Sequence, residues 1–428
     1  YIPGRERPIA ELFLVLGRQL PLVQRGGCSR SVPSVKEREE VRALTLDISS
    51  NSPYSKDSVS HCRKHEPSST LYSVSDEIKH RLKVLVVDRF TASRDLFTKI
   101  FAVSTDFTLV GQTSSGQRAI KLVKRLQPDL VILDPHCLDD GGYETVSDIL
   151  QERKVAILVV TTSAQAETAY RCLELGALEV VSKPDDKCKD DPSYIRDFLN
   201  HARMLVATST VRLPNDKKKV NRNSGIFSTH MPKRGLPADF IVTIAASTGG
   251  PQALSQLLGA LPRSLPAAVL IVQHLGVGFE EGLISWLDST SSLDVKLAKN
   301  GLPLLVGTVY VCPPDYHLAV TKRRSVELVD EEPVAGQKPS ATYLFESGAA
   351  VFGSRCTGVI LTGMGGDGAE ALDDIRLAGG LTIAQDEATS AVYGMPRVAA
   401  ELGSAREILS LAEIAPRLVS WLGSGESK

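Results

Sequence analysis

No apolar run in the 428-residue chain approaches the roughly 18 residues needed to cross a bilayer, which predicts no membrane insertion. Charge of one sign is missing too. Lys and Arg number 49 against 50 Asp and Glu, a formal net charge of −1. Nothing therefore draws the whole molecule to nucleic acid or an anionic surface. The seven cysteines include no CxxC pair. That argues against a disulfide framework and suits reduced thiols in a cytoplasmic protein. His61-Cys62-Arg63-Lys64-His65 has metal-capable side chains, but its polar, Ser-rich neighbours read as a solvated segment rather than a zinc site. Residues 8–23 are partly apolar, yet Arg18 and Pro21 interrupt them and no small-residue cleavage site follows, so a signal peptide is not expected. Residues 24–80 are Ser-rich, charged and aperiodic, and 1–80 as a whole read as a disordered extension.

What is present is ample for folding. The chain is 43% hydrophobic and 23% charged, an ordinary globular composition, and long enough for two or more domains. From Leu82 apolar strands alternate with amphipathic helical patterns. Strands are expected at Leu82–Val87, Leu130–Leu133 and Ala156–Val160, with helices at 92–103, 115–126, 143–153 and 164–175. Fully apolar strands between helices imply a parallel sheet covered on both faces, with function at the strands' carboxyl ends. A first domain is placed at 81–206 and a polar linker at 207–237. A second α/β domain is placed at 238–423, with an antiparallel excursion over about 293–329.

The first domain's strand ends carry Asp88, Asp134, Thr161 and, after Val180-Val181-Ser182, Lys183-Pro184. This set resembles the receiver domains of two-component response regulators. The resemblance implies a flavodoxin-like doubly wound fold, with Asp134 accepting a phosphoryl group from a histidine kinase. Thr161 would contact the phosphoryl oxygens, Lys183 would pair with the charge, Pro184 would be cis, and Asp88 would help bind Mg²⁺. Electrostatics agrees, because a carboxylate can attack phosphorus only if a cation neutralises the charge gathering on the oxygens. The family, however, has two adjacent acids where this chain has Asp88-Arg89, and a guanidinium repels a cation. Cys137-Leu138 and Gly141-Gly142 also stand in place of the usual Met-Pro and Asp-Gly. These departures predict a degraded Mg²⁺ site and weak Mg²⁺-dependent phosphorylation. The other reading is a receiver-shaped cover or docking surface.

In the second domain an apolar run ends at Ser247-Thr248-Gly249-Gly250-Pro251 and a helical pattern follows. Strand, tight turn and helix present a hydroxyl at a sheet edge beside helix N–H groups, although the same residues also make an ordinary helix N-cap. A second apolar strand ends at Gln273-His274. A third, Val359-Ile360-Leu361, runs into a glycine-rich loop, Thr362-Gly363-Met364-Gly365-Gly366-Asp367-Gly368, with Asp367 at the next helix start. Alone, His274 could be a satisfied strand-end residue and Asp367 an N-cap. Together they bring a hydroxyl, a base with pKa near neutrality and a carboxylate to one edge, which is what acyl transfer needs. The chain order Ser, His, Asp and the Ala245 preceding the nucleophile motif exclude the usual α/β-hydrolase pattern.

These motifs resemble the catalytic domain of chemotaxis-type protein-glutamate methylesterases. Pro339-Ser340-Ala341 and Ala384-Gln385-Asp386…Tyr393-Gly394-Met395-Pro396 extend the match across 238–423. The resemblance implies Ser247 as nucleophile, His274 as base and later acid, and Asp367 as orienting carboxylate. Thr248 and the backbone around Met364 would assist the nucleophile and oxyanion. It further implies hydrolysis of glutamate γ-methyl esters on methyl-accepting chemoreceptors and deamidation of receptor glutamines, with no cofactor for catalysis. The receiver would regulate access. The alternative is a non-catalytic chemosensory adaptor.

Overall fold

The computed structural model describes residues 81–137, 143–184, 191–209 and 235–424. The extension 1–80 with its His61–His65 cluster, Leu138, Gly141, Gly142 and most of the expected linker lie outside these residues.

The apolar runs become strands because their side chains are buried on both faces. β1 (Leu82–Val87), β2 (Phe107–Thr113), β3 (Leu130–Leu133), β4 (Ala156–Thr161) and β5 (Glu179–Ser182) form a parallel sheet ordered β2-β1-β3-β4-β5. Helices α1 (Thr91–Ala102), α2 (Gly116–Leu126), α3 (Glu144–Glu152), α4 (Ala166–Glu174) and α5 (Pro192–Ser209) alternate with these strands or follow them. This is the expected doubly wound arrangement, with Asp88 and Asp134 at its switch point between β1 and β3. The continuous-apolar criterion does not find β2. As an edge strand it mixes Thr, Gly and Gln with apolar residues and is only partly buried. Helix α5 carries Leu205 and Val206 into the receiver core and runs on to Ser209. One expectation is corrected. The cis peptide bond among the described residues is Lys338–Pro339, so Pro184 is trans.

The second sheet is built from β6 (Phe240–Ala246), β7 (Ala267–Gln273), β8 (Asp294–Leu297), β9 (Thr308–Val311), β12 (Cys356–Ile360), β13 (Leu381–Gln385) and β14 (Glu407–Leu409). Their order is β14-β13-β12-β6-β7-β9-β8 and all named pairs are parallel. The antiparallel excursion is the separate hairpin β10 (His317–Val320) with β11 (Val326–Val329). Helices α6 (Gly250–Ala260), α7 (Glu280–Thr290), α8 (Ala341–Phe352), α9 (Leu372–Leu377), α10 (Met395–Glu401) and α11 (Leu411–Ser424) complete this half. From β6 the chain steps outward to β7, and later returns to β12 on the other side of β6. The switch point therefore lies between β6 and β12.

The two α/β halves pack together. One hydrophobic cluster takes residues from both, including Tyr170 and Trp286, whose rings stack with centroids 5.6 Å apart. Tyr170 Oη donates to the Phe279 carbonyl at 3.2 Å, Trp286 Nε1 donates to Glu174, and Gln252 Nε2 donates to the Ala177 carbonyl at 2.8 Å.

Candidate active site

Ser247 follows β6 directly, and His274 follows β7. Because Ala246 pairs with Gln273, the two residues leave adjacent strands side by side, about 4.8 Å apart by sheet spacing. The His274 N–H donates to the Ala246 carbonyl at 3.1 Å, and the Ser247 N–H to the Thr362 carbonyl at 3.1 Å. The loop after β12 is thereby tied to the nucleophile turn. Gly249 takes φ +73° as the N-cap of α6, a left-handed conformation that glycine adopts without steric cost. A Cβ at Gly363 would lie 2.8 Å from Ser247 Cβ, so only glycine lets these two loops approach so closely.

Asp367 does not cap the helix that follows it, since α9 begins only at Leu372. It caps α8 from a distance instead. Its Oδ2 accepts the Ala341 N–H at 2.7 Å and lies 3.0 Å from His274 Nε2, while Oδ1 accepts from Ser340 Oγ at 2.5 Å. Burial pushes the Asp367 carboxyl up, but the hydrogen bonds and charge from His274, Ser340 and Ala341 outweigh it and hold the group below the usual carboxylate range. With Nε2 on the carboxylate, Nδ1 is the ring nitrogen left to take a proton. The buried carboxylate, 4% exposed, keeps that tautomer in a largely dry site.

Thr248 and the backbone around Met364 were expected to assist. The Thr248 carbonyl accepts from Thr362 Oγ1 at 2.9 Å, which ties the nucleophile turn to the loop that carries Met364. Two glutamines were quoted in the sequence motifs but given no role. Gln273 Nε2 donates to the carbonyls of both Ser247 and His274, at 2.9 and 2.8 Å. Gln385 Oε1 accepts the Thr362 N–H at 2.8 Å. A buried amide ending an otherwise apolar strand was the signal that could have singled them out.

In the receiver pocket Asp88 and Asp134 are 1% exposed and Thr161 is fully buried. Lys183 Nζ bridges the two carboxylates, 2.7 Å from Asp88 Oδ2 and in contact with Asp134 Oδ2. Burial alone would lower the Lys183 pKa, but hydrogen bonds and charge from Asp134 and Asp88 raise it above the ordinary lysine value. The Thr161 hydroxyl is buried without a hydrogen-bond partner among the described residues. His136, which the sequence reading missed, donates its N–H to Asp134 Oδ1 at 2.9 Å and sets Nδ1 3.0 Å from the same oxygen. Arg89 is exposed, and the described residues hold no group of three His, Cys, Asp or Glu side chains placed for a metal ion. With one ammonium spanning both carboxylates and His136 on the remaining Asp134 oxygen, this pocket does not fit a divalent cation as arranged.

A receiver-type sheet packed on a parallel α/β sheet that gathers Ser, His and Asp at one edge defines a response-regulator hydrolase. Two family descriptions match accordingly: "Response regulator receiver domain" over residues 84–189 and "CheB methylesterase" over residues 242–418. A protein-glutamate methylesterase/protein-glutamine glutaminase of Symbiobacterium thermophilum is 37% identical over 369 residues, covering 82% of this chain and all of the relative. A second such protein, from Anaeromyxobacter dehalogenans, is 39% identical over 333 residues, covering 78% and 95%. The crystal structure of the Thermotoga maritima CheB methylesterase catalytic domain is 35% identical, with a TM-score of 0.41, covering 42% of this chain and 97% of that one. The chain belongs to the protein-glutamate methylesterase/protein-glutamine glutaminase family.

Proposed function

We propose that this chain hydrolyses γ-methyl esters of glutamate on methylated chemoreceptors and deamidates receptor glutamines, in the cytoplasm. The observation that carries the reading is the Asp367–His274 pair standing beside Ser247 at the β6/β12 switch point. Ser247 Oγ adds to the γ-carbonyl carbon while its proton passes to His274 Nδ1. The Thr248 and Met364 N–H groups are the donors available for the resulting oxyanion. Methoxide departs with the proton from His274, as methanol, leaving an acyl-enzyme. Water then enters by the same route in reverse and frees glutamate. For glutamine the leaving group is ammonia. Base, orienting acid and oxyanion donors all come from the chain, so the chemistry needs no metal.

Regulation by the receiver is part of the proposal. The loop after His274 runs against the carboxyl ends of β4 and β5. A Cβ at Gly276 would lie 2.4 Å from Ser182 Oγ, and one at Gly278 would lie 2.6 Å from Ser163 Cβ. Ser163 and Ser182 flank Thr161 and Lys183 in sequence. On another side, Met204 of α5 and Tyr393 and Gly365 of the catalytic half line a cleft of about 400 Å³. A change at Asp134, delivered by a histidine kinase, is thus one short segment away from the His274 loop. Lys183 and His136 already hold Asp134, so labelling by a phosphodonor with Mg²⁺ is expected to be weak.

The test is methanol release from methylated receptor membranes, with and without a phosphodonor. Ser247→Ala should lower turnover by about 10⁴–10⁶-fold. Release at the parental rate would remove Ser247 from its role. A serine-directed covalent probe separates this reading from a non-catalytic adaptor, which would leave Ser247 unlabelled.

A further inference from the structure

His317 lies outside every motif used so far, yet it is fully buried at the start of β10. Both of its ring nitrogens are engaged. Nε2 donates to the Glu332 carbonyl at 3.1 Å, and Nδ1 accepts the Ser340 N–H at 3.0 Å. Those two bonds select one neutral tautomer. Its ring stacks on Tyr343, with centroids 4.2 Å apart and planes inclined by 20°. Tyr343 lies in the first turn of α8, the helix whose N-terminus Asp367 caps. Ser340, held by His317 through its backbone, is the residue whose hydroxyl reaches Asp367 Oδ1 and also accepts the Thr342 N–H at 3.2 Å. A continuous chain of hydrogen bonds therefore runs from the Glu332 carbonyl through His317, Ser340 and Asp367 to His274.

We propose that His317 is a positioning residue for acyl transfer: by fixing Ser340 it sets the angle at which Asp367 meets His274. The inference rests on the functional reading above. Asp367 sits in a turn and has no regular element of its own to orient it, so its direction is decided by the groups that donate to it, Ser340 Oγ and Ala341 N–H. Both belong to the segment pinned by His317. Without that pin the segment can drift by a fraction of an ångström, and a displacement of about 1 Å at a reacting group lowers rates by about 10²-fold.

The two ring nitrogens give variants that separate positioning from packing. His317→Asn carries a carboxamide oxygen near the place of Nδ1 and can still accept from Ser340. His317→Gln reaches toward Glu332 instead and leaves the Ser340 N–H without its partner. Kinetics are measured on the full chain with methylated receptor membranes, and the low-field proton resonance of His274 Nε2–H is recorded by NMR. The Gln variant should lose about 10²-fold in kcat with KM nearly unchanged, and its low-field resonance should shift or vanish. The Asn variant should stay close to the parental protein on both readouts. Parental behaviour in the Gln variant, or equal damage in both variants, would overturn the proposal. If the Gln variant does not fold, Ser340→Ala cuts the same chain one link later and should give the same loss and the same spectral change. If the parental protein releases no methanol, the functional reading fails, and the resonance alone still decides whether His317 sets the Asp367–His274 pair.

Discussion

Asp367→Asn should be far less damaging than Asp367→Ala, for a reason particular to this site. Asp367 Oδ2 receives the Ala341 N–H and faces His274 Nε2, while Oδ1 receives Ser340 Oγ. A carboxamide at this position has one workable orientation. Its NH₂ cannot face the Ala341 N–H, so it turns to the Ser340 hydroxyl, which can accept. The carboxamide oxygen then remains on Nε2–H, and the histidine tautomer survives. What is lost is the negative charge beside the imidazolium of the transition state. Two unit charges about 4 Å apart near a protein surface interact by about 4 kcal/mol. Exchanging a charged for a neutral hydrogen-bond acceptor sets a lower limit of about 1–2 kcal/mol. At about 1.36 kcal/mol per tenfold, the expected loss in kcat is about 10- to 10³-fold. Asp367→Ala also releases Nε2 and leaves the Ala341 N–H unpaired, so its loss should exceed about 10⁴-fold. Methanol release by the two purified variants makes the comparison. Equal losses would refute the claim that Ala341 dictates the orientation, and an Asn variant at the parental rate would refute a charge role for Asp367.

Three further outcomes are expected. Gly363→Ala brings a Cβ to within 2.4 Å of Met395 Sδ and 2.8 Å of Ser247 Cβ, so it should destabilise by about 1–3 kcal/mol and slow acylation by about 10²-fold. Denaturant melts and probe labelling of Ser247 would check both, and a fully active variant would contradict the packing argument. Tyr170→Phe removes the 3.2 Å bond to Phe279 across the two halves, worth about 0.5–1.5 kcal/mol. Activity without phosphodonor should then rise about 2- to 10-fold, and an unchanged or lower basal rate would show that this contact does not hold the receiver in place. Finally, burial holds the His317 pKa below the ordinary histidine value, although its bond to the Glu332 carbonyl opposes this. The unfolded chain binds that proton first, so the stabilisation is full above about pH 6.5 and falls as pH drops toward the folded pKa. The stability gap between parental protein and His317→Asn in urea melts should narrow between about pH 7.5 and 5, and a constant gap would contradict a buried neutral imidazole.

Most of the frame was legible beforehand because burial on both faces leaves a one-dimensional signature. Runs such as Leu82–Val87 and Ala267–Gln273 are apolar at nearly every position, and the polar residue that ends each run marks the sheet edge. The edge strand Phe107–Thr113 escaped because half-exposure permits Thr, Gly and Gln within it. The roles of His136, Gln273, Ser340 and His317 escaped because each depends on which backbone groups meet a side chain, and no periodicity records that.

The order of residues alone determined that a hydroxyl and an imidazole would stand at strand ends with a carboxylate in a glycine-rich loop after a third strand, and that a receiver with Arg89 in place of an acid would precede them. The tertiary structure decided the rest. It placed Asp367 on the N-terminus of α8, set Nε2 of His274 against that carboxylate, and put Lys183 across both receiver carboxylates. Strand identity follows from local burial, which a sequence displays. The aim of a carboxylate follows from donors on segments far away along the chain, and only folding brings those together.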